Sequence, residues 1–173
     1  MQLYDLNYYE KMLRLYSGTA EEINKRRWHF LKSHIQRLNT VLDYGCGVGW
    51  FRAWRPPGVK VFSFDIAMYP QTGVEIQIYD CTCFWDVLEH IPDFAAIEPI
   101  LALSRFVAVS IPIPNDETGL NGWKHFKPGE HLHYFTRASL NALFNKYGFD
   151  LLLEDDFECP PRLDVSSFIY RRK

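Results

Sequence analysis

Val41-Leu42-Asp43-Tyr44-Gly45-Cys46-Gly47-Val48-Gly49 is the stretch that decides the fold. Thr40 to Tyr44 is short, apolar and β-branched at its start, the pattern of a buried strand. Glycines at 45, 47 and 49 follow at once. Glycine admits a positive φ and lets a ligand approach the backbone without a Cβ in the way. A brief helix runs from Gly49 to about Trp54, and Pro56-Pro57 stops it. Open α/β sheets bind ligands in the crevice beyond their strand C-termini, so the glycine turn stands where a ligand belongs. A dinucleotide fingerprint needs a third glycine at its sixth position, and that position is Trp50. Asp43, two residues before the first glycine, repels a pyrophosphate but suits a cationic ligand that carries an ammonium group. A nicotinamide-dependent oxidoreductase fails on both residues.

Outward from this turn, helices come first and then strands alternate with helices. Residues 5–16 and 20–37 read as two helices, the second with Ile23, Phe30, Leu31, Ile35 and Leu38 near helical spacing. Thr19 and Glu22 are positioned as its capping box. Val59 to Phe64 is a second strand, Val74 to Tyr79 a third, Cys81 to Trp85 a fourth and Arg105 to Ile111 a fifth. A helix between about Asp93 and Leu103 carries Pro99 as a break or kink. Thr136 caps a helix from Arg137 to Tyr147, which Gly148 terminates. Leu151 to Phe157 and Ser166 to Arg171 flank Pro160-Pro161 as an antiparallel pair. Alternating strands and helices define an α/β sandwich with a mostly parallel sheet.

Size and charge fit this reading. A chain of 173 residues makes one domain, and can bury roughly 70% of its unfolded surface. With 19 basic and 21 acidic residues the net charge is −2, which gives no footprint for nucleic acid. The cysteines, Cys46, Cys81, Cys83 and Cys159, form no C-x-x-C pair, so no metal centre is expected from them and reduced cytoplasmic thiols are. The start of the chain has no signal-peptide pattern, and no apolar run reaches membrane-spanning length.

The glycine stretch resembles the first motif of class I S-adenosylmethionine-dependent methyltransferases, a hydrophobic pair followed by Asp-x-Gly-x-Gly-x-Gly. Two further stretches resemble the same family: Phe64-Asp65-Ile66, 16 residues past Gly49, and Tyr79-Asp80 through Asp86-Val87-Leu88-Glu89-His90-Ile91. Trp123-Lys124-His125 through Gly129-Glu130-His131-Leu132-His133-Tyr134-Phe135-Thr136 is similar to the region after the family's fifth strand. The resemblance spans residues 40–150 and implies the cofactor S-adenosylmethionine, with S-adenosylhomocysteine as product. It implies a cofactor site of Asp43, Gly45, Cys46, Gly47, Gly49, Asp65, Ile66, Asp86, Val87 and His90. Asp65 in this role takes the ribose hydroxyls, which a carboxylate at the end of a second strand is fitted to do.

One departure from the family stands out. Only 14 residues separate Asp65 from Asp80. If Val74 to Tyr79 is a strand, residues 66–73 remain for a parallel crossover that needs a dozen or more. The adenine side is therefore expected to be open. Met68 and Tyr69 are assigned to core packing, with cover for the adenine as the alternative.

Methyl transfer needs an aligned nucleophile above all, and a base if the acceptor is a hydroxyl. His131 and His133, in the irregular segment 112–135, are the candidates for that base, on the same side if the backbone is extended. Trp123, His125 and Tyr134 are candidates for substrate contact, and Glu130 for a structural hydrogen bond. The expected architecture is one domain over 1–173, a three-layer α/β/α sandwich with a Rossmann-like methyltransferase sheet. That sheet is mostly parallel, has an antiparallel last strand, and is shortened between strands 2 and 4. Residues 1–38 form N-terminal helices over the cofactor cleft and 39–173 the sheet core. The expected function is methyl transfer to a small molecule or glycan in the cytoplasm, with no nucleic-acid or membrane partner. The alternative is a non-catalytic module that binds the cofactor or a partner on a trimmed methyltransferase fold.

Overall fold

The computed structural model describes residues 6–68, 74–114, 119, 120, 122–160 and 162–173. In chain order the elements are α1 (Leu6–His34), β1 (Thr40–Tyr44), α2 (Trp50–Ala53), β2 (Lys60–Phe64) and β3 (Tyr79–Trp85), then α3 (Glu98–Ala102), β4 (Ser104–Pro112), α4 (Arg137–Lys146), β5 (Phe149–Asp155) and β6 (Val165–Arg172). Short 3-10 turns at Leu88–His90 and Phe94–Ile97 lie between β3 and α3. The six strands form one sheet in the order β2-β1-β3-β4-β6-β5. β2, β1, β3 and β4 pair in parallel, and β6 runs antiparallel to both of its neighbours.

Alternation along the central strands explains the layers, because successive side chains point to opposite faces. Phe84 of β3, Val107, Val109 and Ile111 of β4, and Phe168 and Tyr170 of β6 bury one face against Leu140 and Phe144 of α4. Cys81, Cys83 and Trp85, Ala108 and Ile169 bury the other against Trp28, Phe30, Leu31 and Ile35 of α1. The sulfurs of Cys81 and Cys83 stand 3.9 Å apart on that face. The sandwich is thus three-layered, with a fully buried β3 at its centre.

Two expectations are corrected. The two N-terminal helices are a single 29-residue α1. Gly18 and Thr19 lie inside it, so Thr19 is not an N-cap. A mid-helix glycine costs only about 1 kcal/mol, which the stripe of Ala20, Ile23, Arg27, Trp28 and Leu31 offsets by burial. Val74 to Tyr79 is not a third strand: 74–78 are irregular, and Tyr79 opens β3, which pairs with β1 instead. The alternation there leaves Ile76 and Ile78 exposed at 91% and 61%. The short crossover does not carry the chain outside β2, so among the described residues the sheet has six strands, in keeping with the expected shortening between strands 2 and 4. Asp80, the second residue of β3, serves the opposite end of the sheet from the glycine turn. Its Oδ2 accepts from the backbone N–H of Asn39 (2.8 Å) and Thr40 (3.0 Å), fixing the entry to β1.

α4 starts as its sequence signals. Thr136 accepts from the Ser139 N–H and Ser139 reciprocates, a closed capping box.

Candidate active site

The C-terminal ends of β1, β2 and β3 converge on the glycine turn. Gly45, Gly47 and Gly49 all have positive φ, at 77°, 51° and 81°. The turn is pinned to β2 by Gly45 N–H and Cys46 N–H, which both donate to the Phe64 carbonyl at 2.7 and 3.0 Å. A Cβ on Gly45 would stand 2.5 Å from Cγ2 of Val87, so this position needs glycine for space as well as for conformation. Val87 therefore closes the turn from the β3 side.

Asp65 is the organising carboxylate. It is buried. Its Oδ2 accepts from Gly47 N–H at 2.9 Å, and its Oδ1 from Ala67 and Met68 N–H at 2.9 and 3.0 Å. The Tyr9 hydroxyl of α1 donates to the same Oδ1 at 3.0 Å, so the first half of α1 reaches across to the end of β2. Ile66 beside it is 76% exposed. Met68 is half-buried, and Tyr69 lies outside the described residues.

Asp43 sits beneath the turn at 2% exposure, and its Oδ2 has no hydrogen-bond partner among the described residues. Burial raises its pKa from 3.8 to about 7; Arg27 opposes the rise and Asp65 adds to it. Burial also pushes the Cys46 thiol up to about 12, helped by Asp43 and Asp65, so this cysteine stays protonated.

Beyond β3, Asp86 takes a left-handed φ of 58° and enters a charge cluster that the sequence alone did not signal. Arg162 donates to Asp86 at 2.5 and 2.8 Å and to Glu158 at 2.7 Å. Arg27 of α1 bridges the same two acids, at 3.1 Å to Asp86 and 2.7 Å to Glu158. Ser110 of β4 adds a bond to Glu158 at 2.8 Å. Burial on its own raises Asp86, but the two guanidiniums outweigh it and hold the carboxyl down to about 2. Glu158 is fully buried. The cluster ties α1, β3, β4 and the β5–β6 connection together at the mouth of the sheet.

Glu89 and His90 occupy the 3-10 turn after Asp86. Burial, with the nearby charge of Asp86, raises Glu89 to about 8. His131, from the loop before α4, packs edge-on to His90 with centroids 4.8 Å apart. Burial, then His90 and Lys127, lower His131 to about 4, so its imidazole is neutral at pH 7. His133 has a different setting. Its Nε2 donates to the Ile91 carbonyl at 2.9 Å and its ring packs on Phe94. Trp123, His125, Phe126 and Tyr134 form an aromatic group next to His131. Three of its polar atoms, Trp123 Nε1, His125 Nε2 and Tyr134 OH, are buried without a partner among the described residues. Glu130 contributes its backbone carbonyl to His90 and its carboxylate to Lys127. A surface groove of about 680 Å³ between the second half of α1 and Asp155 and Phe157 lies away from all these groups.

A parallel sheet whose glycine turn meets an acid at the end of the next strand defines a Rossmann-like site for a nucleoside-bearing cofactor. The family model described as a methyltransferase domain matches residues 11–154, and the chain belongs to that family. It is a class I S-adenosylmethionine-dependent methyltransferase, with S-adenosylmethionine as its cofactor. Comparison with curated proteins yields no match. Among solved structures, the chain is similar to magnesium protoporphyrin IX methyltransferase from Synechocystis with bound S-adenosylhomocysteine, at a TM-score of 0.68 and 17% identity over 98% of this chain and 96% of that one. It is also similar to 1,6-didemethyltoxoflavin-N1-methyltransferase from Burkholderia thailandensis, at 0.66 and 17% over 96% and 87%. An S-adenosylmethionine-dependent methyltransferase from Clostridium acetobutylicum matches at 0.66 and 9%, over 95% and 98%. At these identities the likeness is one of fold.

Proposed function

We propose that the chain transfers the methyl group of S-adenosylmethionine to a small-molecule acceptor held between the end of β3 and the 122–135 loop. The cofactor assignment rests on Asp43, Gly45, Cys46, Gly47, Gly49, Asp65, Ile66, Asp86, Val87 and His90. The glycine turn cradles the methionine part, and Asp65 accepts from the ribose, with the Tyr9 hydroxyl standing where a ribose hydroxyl would bond. Asp43 supplies the negative charge that balances a cationic ligand. One observation carries the acceptor reading: beside His131, polar atoms of Trp123, His125 and Tyr134 are buried with no partner among the described residues. Buried polar atoms without bonds cost roughly 1–3 kcal/mol each, and a ligand with polar groups on a flat frame repays them. The porphyrin and toxoflavin substrates of the two similar enzymes are of that kind.

His131 is a better catalytic candidate than His133, whose Nε2 is committed to Ile91. A neutral His131 orients an acceptor and takes its proton only as the sulfonium is attacked. The transfer itself forms the acceptor–methyl bond as the sulfur–methyl bond breaks and leaves S-adenosylhomocysteine. Titration calorimetry of both cofactor forms into the wild type and Asp65→Ala tests the assignment. Saturable binding that the variant loses is the expected result. No binding at millimolar ligand would leave the fold as a non-catalytic interaction module.

A further inference from the structure

Glu89, His90 and His131 each bring one ligand atom within 4.8 Å of the other two. The backbone holds them there. Leu132 and His133 N–H both donate to the Glu89 carbonyl, at 2.7 and 3.2 Å, which clamps the 3-10 turn to the His131 loop. His90 Nδ1 donates to the Glu130 carbonyl at 3.0 Å. That bond places the His90 lone pair on Nε2, which faces Glu89 Oε1 at 3.9 Å. Glu89 is 3% exposed, and its Oε2 has no hydrogen-bond partner among the described residues. A carboxyl group withdrawn from water beside two imidazoles, with an unbonded oxygen, is disposed to take a cation.

We propose that Glu89, His90 and His131 form a binding site for a divalent transition-metal ion. One carboxylate and two imidazoles suit Zn²⁺, Mn²⁺, Fe²⁺ or Co²⁺ better than Mg²⁺ or Ca²⁺, which prefer oxygen throughout. Bonds of about 2.0–2.2 Å require the three side chains to draw slightly closer on binding. Three protein ligands leave at least one position for an oxygen of water or of an acceptor. The His90 bond to the Glu130 carbonyl is the outer support such sites need to orient a ring. The metal site does not depend on the methyl-transfer reading. Where both hold, the ring nitrogens of His90 and His131 serve the ion, not the cofactor or the acceptor's proton.

Metal-stripped protein at about pH 8, where ligand deprotonation favours binding, is titrated with Co²⁺ by visible absorption and with Zn²⁺ and Mn²⁺ by calorimetry. Wild type, Glu89→Gln and His131→Asn are compared, with circular dichroism to establish which variants are folded. One ion per chain is expected, with a nitrogen- and oxygen-ligated Co²⁺ spectrum. Loss of an outer support alone weakens metal sites by about 10–100-fold, so loss of a ligand should weaken binding by at least about 100-fold. If Glu89→Gln does not fold, His131→Asn and the wild-type spectrum decide. Three results each overturn the proposal: no saturable binding at millimolar metal, affinity unchanged in a folded variant, or near-ultraviolet thiolate-to-cobalt absorption, which would place the ion on cysteine instead.

Discussion

Replacing Asp43 by asparagine isolates the free energy of holding a charge beneath the glycine turn. The carboxyl is 2% exposed with an unbonded Oδ2, and its pKa rises from 3.8 to about 7, chiefly through burial. Because the folded value lies above the unfolded one, the native state holds the proton more tightly. The associated stability is complete below about pH 4 and is lost as pH rises towards and through 7. At roughly 1.4 kcal/mol per pKa unit, the full loss is about 4 kcal/mol, with about a third of it developed by pH 5. The asparagine variant has no such dependence. Urea unfolding of both cofactor-free proteins from about pH 4 to 9 should therefore give a difference that grows by about 4 kcal/mol in favour of Asp43→Asn and levels off above pH 8. A difference that stays flat to within about 1 kcal/mol would refute the reasoning. In the wild type, a cationic ligand near Asp43 should expel its proton. Cofactor binding at pH 6 should then release protons, read from calorimetry in buffers of different ionisation enthalpy, and Asp43→Asn should abolish the release.

Gly45→Ala should destabilise by about 2–4 kcal/mol, from positive φ and from overlap with Val87, and Val87→Ala should restore part of it in a denaturant series. Arg162→Ala should cost about 3–5 kcal/mol in the same assay, because Asp86 and the fully buried Glu158 then share Arg27 alone. Tyr134→Phe removes an unpartnered buried hydroxyl, so it should leave stability unchanged or raise it by about 1 kcal/mol while raising the KM of the acceptor.

The sheet was legible where local signals and tertiary packing agree. β1 has the limits that its apolar run and first glycine set, and α4 obeys its cap. The reading failed where composition had to stand in for space. Val74, Ile76 and Ile78 alternate like a strand, yet no crossover is long enough to seat them. Ser17-Gly18-Thr19 reads as a break, yet burial on Trp28 and Leu31 carries α1 through. In the site, the glycine turn and Asp65 announce themselves because both are local patterns. The Arg27, Asp86, Glu158 and Arg162 cluster does not, since its members come from separate parts of the chain. Glu89 and His90 stand 41 or more residues before His131, and cysteine spacing carries no hint of them.

The shortened crossover also leaves β2 paired, among the described residues, on one side only. A bare strand edge is a template that another chain can extend. Lys60, the first residue of β2, is exposed and lies over the Phe62 ring at 4.2 Å. A charge at the start of an edge strand makes an incoming strand costly to seat, so Lys60 stands where a gatekeeper would.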